Sequence, residues 1–164
     1  AINFIDGIDG LAITEVIKTL VLIEYFSASR TALTPLSILL VLCLIPLYYF
    51  NFKKTQKVFL GDSGSMLLGT FVAIYIFYVL GNEYKFEEGF LINKVLFAIL
   101  TILYPLTDLL RVFILRIREG KSPFEADQKH LHHLFIKCNL SNFIVLIMLV
   151  LTVTILQFLI IYFV

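Results

Sequence analysis

Long apolar segments separated by short polar loops are the feature that most restricts how this chain can fold. About 20 apolar residues span a bilayer as a helix, and five segments approach or exceed that length. These segments are residues 11–26, 33–50, 65–80, 90–110 and 142–164. The chain is 60% hydrophobic and only 15% charged, whereas soluble domains contain about 25% charged residues. The sequence therefore predicts an all-α fold, a polytopic transmembrane helical bundle with about five spans.

Two of these segments contain residues that distinguish them from a simple span. Segment 11–26 carries Glu15, Lys18 and Glu24, so we expect it to pack inside the bundle. Glu15 and Lys18 are three residues apart and are expected to pair on one helix face. In the fourth segment, Pro105 predicts a kink, because proline disrupts the hydrogen bonding of a helix.

Basic residues are distributed unequally between the loops on the two sides of the five segments. Loops 51–64 and 111–141 share a side with the N-terminal motif and contain nine lysines and arginines, whereas loops 27–32 and 81–89 contain two. Loops rich in lysine and arginine remain in the cytoplasm. The asymmetry predicts that the N-terminal motif and both basic loops face the cytoplasm. A net charge of +1 gives no indication of nucleic-acid binding.

Residues 58–69, VFLGDSGSMLLG, place polar groups at the start of an apolar run. Ser65 is expected to cap the helix that follows. The N–H groups at a helix N-terminus suit a phosphate, and Asp62 beside them suits a divalent cation that bridges to it. A capped turn at the membrane surface is the alternative interpretation. An unpaired carboxylate where a membrane helix begins favours a functional role for Asp62.

A second polar motif, NFIDGIDGL, occupies residues 3–11. Asp6 and Asp9 are three residues apart, so a helical or turn-like backbone places both on one side. Together with Asn3, they offer oxygen ligands to a metal ion, a base edge or sugar hydroxyls. Asp9 alone is also compatible with a helix N-cap. Two Asp-Gly pairs in one short run favour the functional interpretation.

The third polar region begins with a predicted basic helix. Arg111 and Arg118 share one helix face and Arg116 is offset from them, a pattern typical of a solvated amphipathic helix on anionic lipid. Asp108 is expected to pair with Arg111 one turn away. Gly120 is expected to end this helix.

All three histidines of the chain, His130, His132 and His133, follow within four residues. Three imidazoles clustered in a cytoplasmic loop indicate function. Zinc would need further ligands, but no thiolate is near and no fourth ligand follows at zinc-finger spacing. Binding of phosphate or of a sugar, with one imidazole charged, fits these residues better.

The three motifs together resemble those of the polyprenyl-phosphate N-acetylhexosamine-1-phosphate transferases of glycosyltransferase family 4. The family's Asn-x-x-Asp-Gly-x-Asp-Gly motif is similar to residues 3–10, its Phe-x-Gly-Asp-x-Gly-Ser motif to residues 59–65, and its cytoplasmic histidine motif to residues 130–133. The resemblance covers nearly all of the chain. We therefore expect residues 1–164 to form a single transmembrane catalytic domain, the C-terminal portion of a longer enzyme.

The resemblance implies a reaction and a location. An N-acetylated amino-sugar 1-phosphate would pass from a UDP-sugar to undecaprenyl phosphate, with release of UMP and with Mg²⁺ or Mn²⁺ as cofactor. The lipid-linked product would start a cell-envelope polysaccharide. The enzyme would lie in the bacterial inner membrane with its active site on the cytoplasmic face. Its implied partners are the UDP-N-acetylamino sugar, undecaprenyl phosphate and membrane lipid, without nucleic acid, and a homodimer is left open.

The resemblance also assigns roles to individual residues. Asp62 would be a metal ligand, and Asn3 would approach the metal ion or the pyrophosphate. Phe59 would lie against uracil, and Asn51 would contact the nucleotide. The implied catalytic residues are Asp6, Asp9 and Asp62. The residues implied to contact phosphate or the sugar are His130, His132 and His133.

The chain departs from the family's pattern in one respect, which affects its expected activity. The family has an adjacent aspartate pair on an earlier cytoplasmic loop, and this chain contains no such pair. We therefore expect the chain alone to be inactive.

A polytopic transporter that binds cations is the alternative, but it predicts ionisable residues deep in the helices, and here polar residues cluster at one face. A degenerate homologue that acts as a scaffold is disfavoured by the intact motifs.

Overall fold

The computed structural model describes residues 2–53, 55–122 and 141–163. Within these residues the chain forms seven α-helices and one isolated backbone bridge, between Ser27 and Phe86. The helices are α1 (Ile2–Ile5), α2 (Leu11–Tyr25), α3 (Thr34–Phe52), α4 (Gly61–Leu80), α5 (Lys94–Thr101), α6 (Leu103–Arg118) and α7 (Asn142–Phe163). The predicted all-α fold is confirmed for the part of the chain that is described.

Three of the described helices, α3, α4 and α7, are long and apolar enough to cross a membrane. Counting α5 and α6 as one bent span gives four, and these two helices meet at 76°. Among the described residues, the number of candidate spans is therefore lower than the predicted number of about five. The first apolar segment forms only the 15-residue helix α2. A helix of that length extends about 22 Å, which is less than the hydrocarbon thickness of about 30 Å.

Helix α2 lies at the centre of the bundle. It packs against α1, α3, α4, α5 and α7, and apolar residues such as Val16 and Ile23 are fully buried. Glu15 and Lys18 form the predicted ion pair, with 2.6 Å between Glu15 Oε2 and Lys18 Nζ. Pairing offsets the high cost of burying either charge alone. The expectation that this segment packs inside the bundle is confirmed.

The predicted kink in the fourth apolar segment is a break between α5 and α6. Helix α5 ends at Thr101, four residues before Pro105, and a proline ring clashes with the carbonyl four positions earlier. The Thr101 carbonyl instead accepts a hydrogen bond from the Thr19 hydroxyl of α2 at 3.0 Å. The Leu100 carbonyl accepts one from the Gln157 side chain of α7. The break therefore frees backbone groups that attach α5 to two neighbouring helices.

The loops form two groups, one at each end of the bundle. At one end, the Ala28 N–H donates to the Lys85 carbonyl at 2.9 Å and joins the loop after α2 to the loop after α4. At the other end, residues 3–10 contact residues 51–65 through hydrogen bonds and an ion pair. We call these two segments the polar end. The prediction that the two motifs share one side of the bundle is confirmed.

Helix α6 ends where the sequence predicted, but its basic face is not fully solvated. The Lys121 N–H donates to the Arg116 carbonyl at 2.9 Å, and Gly120 has a φ of +71°, which is a common helix-ending geometry. Asp108 pairs with Arg111 at 3.9 Å, as predicted. Arg116 is only 1% exposed. The interpretation of a solvated face was wrong for Arg116, because its offset around the helix turns it toward the protein interior.

Candidate functional site

Two of the three sequence motifs form one site at the polar end. The Ser65 hydroxyl donates a hydrogen bond to Asn3 Oδ1 at 2.8 Å, across 62 positions of sequence. Helix α1 packs against α4, and the contact is close at Gly69, where an added Cβ would lie 3.8 Å from Ile2. The N-terminal motif is therefore held directly against the first turns of α4.

Helix α4 begins at Gly61, four residues earlier than predicted. Gly61 has a left-handed φ of +64°, which glycine adopts without steric cost. Ser65 consequently lies inside the helix, where it is buried, and its hydroxyl also donates to the Asp62 carbonyl at 3.1 Å. The prediction that Ser65 caps this helix was wrong. Asp62 is exposed in the first turn, beside N–H groups that attract anions.

The negative charge of Asp62 acts on the carboxyl group of Asp6. The pKa of Asp6 is raised to about 6, first by burial and then by the negative charge of Asp62. A divalent cation relieves repulsion of this kind, since hard cations bind carboxylate oxygens. Asp6, Asp62 and Asn3 supply only oxygen ligands, which fit Mg²⁺ chemically.

The protein ligands available for such an ion are few. No group of three or more His, Cys, Asp or Glu side chains within residues 2–53, 55–122 and 141–163 is placed to hold a metal ion. Mg²⁺ usually keeps several waters and binds through one or two carboxylates together with substrate phosphates. The arrangement therefore fits a site in which the ion is bound jointly with a phosphate substrate better than it fits a closed structural metal site.

Asn51 joins the N-terminal motif to the loop before α4. Its Oδ1 accepts a hydrogen bond from the Gly10 N–H at 2.6 Å, and its Nδ2 donates to the Val58 carbonyl at 2.9 Å. The side chain is buried. Both ends of the carboxamide are thus engaged within the protein. The contact with a nucleotide that the resemblance implies for Asn51 stays a prediction.

Gly10 forms the turn that leads from Asp9 into α2. It has a φ of +76°, and it occupies the N-cap position without a side-chain cap. The alternative interpretation of Asp9 as a helix N-cap therefore does not hold. A Cβ added at Gly10 would lie 2.5 Å from Phe52 Cε2 and 2.8 Å from Tyr48 Cε2. The turn can approach α3 this closely only because residue 10 has no side chain.

Gly10→Ala is expected to destabilise the protein by about 1–3 kcal/mol, because overpacking adds to left-handed strain. Gly120→Ala is the matched control, since Gly120 has a similar φ of +71° but no atom within 4 Å of an added Cβ. Thermal unfolding of the purified variants in detergent measures both. The larger loss should occur at Gly10. Equal losses would contradict a role for close packing against Phe52 and Tyr48.

Asp9 pairs with Lys57 rather than capping a helix. Lys57 Nζ lies 2.5 Å from Asp9 Oδ1 and 5.0 Å from the ring centroid of Phe59. In the sequence, Lys57 is one of the basic loop residues that predict topology, and that pattern does not indicate this contact. The spacing of two residues between Lys57 and Phe59 is a sequence signal for their contact, because residues i and i+2 of an extended segment point to the same side.

The structure thus assembles most of the residues predicted from sequence, but not all. The third motif lies outside the described residues, so the contacts expected for His130, His132 and His133 with phosphate or sugar stay predictions. The predicted residues found at the polar end are Asn3, Asp6, Asp9, Asn51, Phe59 and Asp62.

Comparisons with known proteins agree on one family. The model of "Glycosyl transferase family 4" matches residues 1–80. The decaprenyl-phosphate N-acetylglucosaminephosphotransferase of Mycobacterium leprae is 33% identical over 96% of this chain and 43% of its own length. The undecaprenyl-phosphate alpha-N-acetylglucosaminyl 1-phosphate transferase of Yersinia pestis is 32% identical over 87% of this chain and 39% of its own length.

A third relative with the same name, from Pasteurella multocida, is 36% identical over 65% of this chain and 29% of its own length. The chain therefore spans less than half the length of these curated relatives. No solved structure matches the chain.

Proposed function

Because this chain belongs to glycosyl transferase family 4, we propose that it forms part of an enzyme that transfers an N-acetylated amino-sugar 1-phosphate from a UDP-sugar to a polyprenyl phosphate. Undecaprenyl phosphate is the expected acceptor and UMP the leaving group. The product, a lipid-linked pyrophosphoryl sugar, would start a cell-envelope polysaccharide. The relatives' names, which specify N-acetylglucosamine and prenyl phosphates, support this choice of substrates.

The observation that supports the proposal most directly is that Asp62, in the first turn of α4, is near enough to Asp6 for its charge to raise the pKa of Asp6. Phosphoryl transfer between two anions depends on positioning and on charge stabilisation more than on covalent chemistry by the protein. A helix N-terminus attracts phosphate, and two neighbouring carboxylates bind a divalent cation. Together they would hold a nucleotide pyrophosphate in a fixed orientation.

Mg²⁺ or Mn²⁺ would be held by Asp62, with Asn3 and Asp6 beside it. When bound, the ion would neutralise charge on the donor pyrophosphate and on the departing UMP. The Ser65 hydroxyl orients Asn3 through the hydrogen bond to its Oδ1. Asp9 and Phe59 would line the nucleotide pocket, with Phe59 against uracil.

The chemical change follows from the substrates. A bond forms between an acceptor phosphate oxygen and the phosphorus that carries the sugar. The pyrophosphate bond breaks, and its electron pair leaves with UMP. Direct attack by the lipid phosphate and a covalent enzyme intermediate would give the same products.

The location of the site fits this pair of substrates. A soluble nucleotide sugar and a lipid phosphate meet at a membrane surface, and the polar end adjoins the apolar helices α3 and α4. We propose that this end faces the cytoplasm of a bacterial inner membrane, because the loops beside it are basic. The apolar faces between the helices would guide the prenyl chain. The transporter hypothesis is not favoured, because the relatives are named as transferases.

Release of UMP from UDP-N-acetylglucosamine in the presence of undecaprenyl phosphate and Mg²⁺ tests the proposal. We expect turnover from the complete polypeptide that we infer to contain this chain. We expect none from the 164-residue chain alone, which has no adjacent aspartate pair. A complete polypeptide that releases no UMP with any UDP-N-acetylamino sugar would refute the function. Turnover by the chain alone would show that the aspartate pair is not needed.

A further inference from the structure

Lys57 contacts two residues of the candidate nucleotide site at once. Its ammonium lies 2.5 Å from Asp9 Oδ1 and 5.0 Å from the centre of the Phe59 ring. The Lys57 side chain is 28% exposed and the Asp9 side chain 20% exposed, so solvent screens this pair less than a fully exposed one. A lysine that served only to orient the membrane topology would need neither contact.

The charge of Lys57 matters because three carboxylates lie at the polar end. Asp6, Asp9 and Asp62 belong to its two motifs, and a nucleotide pyrophosphate that approached them would itself be anionic. Among the ion pairs between described residues, Lys57–Asp9 is the one that involves any of these three carboxylates. Neutralising Asp9 therefore removes one source of repulsion toward a polyanionic donor.

The contact with Phe59 has a separate consequence. Phe59 is 67% exposed, and an exposed aromatic side chain loses rotamer freedom when a base stacks on it. A cation over one face of the ring restrains it through the attraction of the ring quadrupole. The remaining exposed surface of the ring is then available to a flat base.

We propose that Lys57 is a positioning residue of the donor site, which holds Asp9 and Phe59 in the arrangement that accepts the uridine diphosphate group of the donor. This inference rests on the proposed function. It assigns to Lys57 a role that neither its place in a basic loop nor the motif residues around it would indicate.

Lys57→Met tests the inference in the complete polypeptide, with UDP-N-acetylglucosamine as the varied substrate. Methionine keeps much of the apolar stem but removes the charge. The KM for the donor should rise about five- to tenfold, as expected for losing an ion pair and a cation–π contact together. The kcat should change less than about twofold, because the effect is on binding. Lys57→Arg, which keeps the cation, should restore most of the affinity.

Lys53→Met is the matched control. Lys53 lies in the same loop and its Nζ is 5.7 Å from the Phe50 ring centroid, so it has a similar cation–π contact away from the acidic motif. Its donor KM should equal that of the unmodified protein. A purely structural role for Lys57 would lower the unfolding temperature without raising the donor KM.

A double substitution measures the coupling between Lys57 and Phe59. Phe59→Leu should raise the donor KM strongly when Lys57 is present and by a smaller factor when Lys57→Met is already in place. Fully independent effects would overturn the role of Lys57 in orienting the ring. Where Lys57→Met yields no folded protein, Lys57→Gln provides the same comparison.

The outcomes separate this inference from the proposed function. A complete polypeptide without UMP release refutes the function itself. An active polypeptide in which Lys57→Met and Lys53→Met have the same donor KM refutes only the role of Lys57. A donor KM that rises in Lys57→Met and recovers in Lys57→Arg supports it.

Discussion

In the complete polypeptide, Asp62→Asn is expected to lower UMP release by more than about 100-fold, since even residues that only support a metal ligand cost 10–100-fold when removed. Asp62 lies in the first turn of α4, exposed to solvent and close enough to Asp6 to raise its pKa. Asparagine keeps the shape of the side chain but binds a hard cation more weakly than a carboxylate does. The loss should therefore be chemical and should leave the helical bundle intact.

Two measurements make this prediction specific. The unfolding temperature of Asp62→Asn should remain near that of the unmodified protein, because the side chain is exposed. Raising the concentration of Mg²⁺ should recover part of the activity. Ser63→Ala, at the neighbouring exposed position, should retain turnover. Normal turnover by Asp62→Asn would show that the metal assignment is wrong.

The positions of Asp62 and Asp6 were predictable because they depend on local pattern. The apolar runs that became α3, α4 and α7 are visible directly in the sequence. Successive apolar segments put alternate loops on opposite sides of the bundle. This alternation and the basic loops together predicted that both acidic motifs lie at one end. The sequence could not show how deep each carboxylate lies, so the electrostatic interaction of Asp6 with Asp62 emerged only from the structure.

Helix α2 shows where apolar pattern alone is insufficient. Its 15 residues are mostly apolar, as in a span, but it forms the centre of the packed core. Glu15 and Lys18 were the signal for this, since they are tolerated in apolar surroundings only as a pair. The start of α4 was misplaced for another reason: the left-handed φ of Gly61 is a property of the folded backbone.

Contacts between distant residues were the least predictable part of the site. Asn51 and Gly10 are 41 positions apart, and nothing in either local sequence indicates that they meet. Lys57 was misinterpreted because basic residues in a loop have a sufficient explanation in membrane topology. Both residues hold predicted site residues in place, so sequence reasoning found the chemical groups but not the contacts that position them.

Asn51→Ala is expected to lower both the stability and the turnover of the complete polypeptide. It leaves the Gly10 N–H and the Val58 carbonyl without the hydrogen bonds that Asn51 supplies. The hydrogen bond to Gly10 is buried, and a buried polar group left unsatisfied costs about 1–3 kcal/mol. The same hydrogen bonds connect the N-terminal motif to the loop that carries Lys57, so their loss should also separate Asp9 from Lys57. Thermal unfolding without substrate and UMP release together measure the two effects.

Asn93→Ala separates a loss of stability from a loss of site geometry. Asn93 caps α5 by accepting a hydrogen bond from the Val95 N–H at 2.8 Å, and replacing such a cap with alanine costs about 1 kcal/mol. Its unfolding temperature should fall while its turnover stays normal, because α5 begins at the end of the bundle opposite the polar end.

If Asn51 instead only contacts the nucleotide, Asn51→Ala should raise the donor KM without changing unfolding in the absence of substrate. A fall in unfolding temperature that accompanies lost turnover at Asn51, but not at Asn93, would identify the carboxamide as the connection that holds the two motifs together.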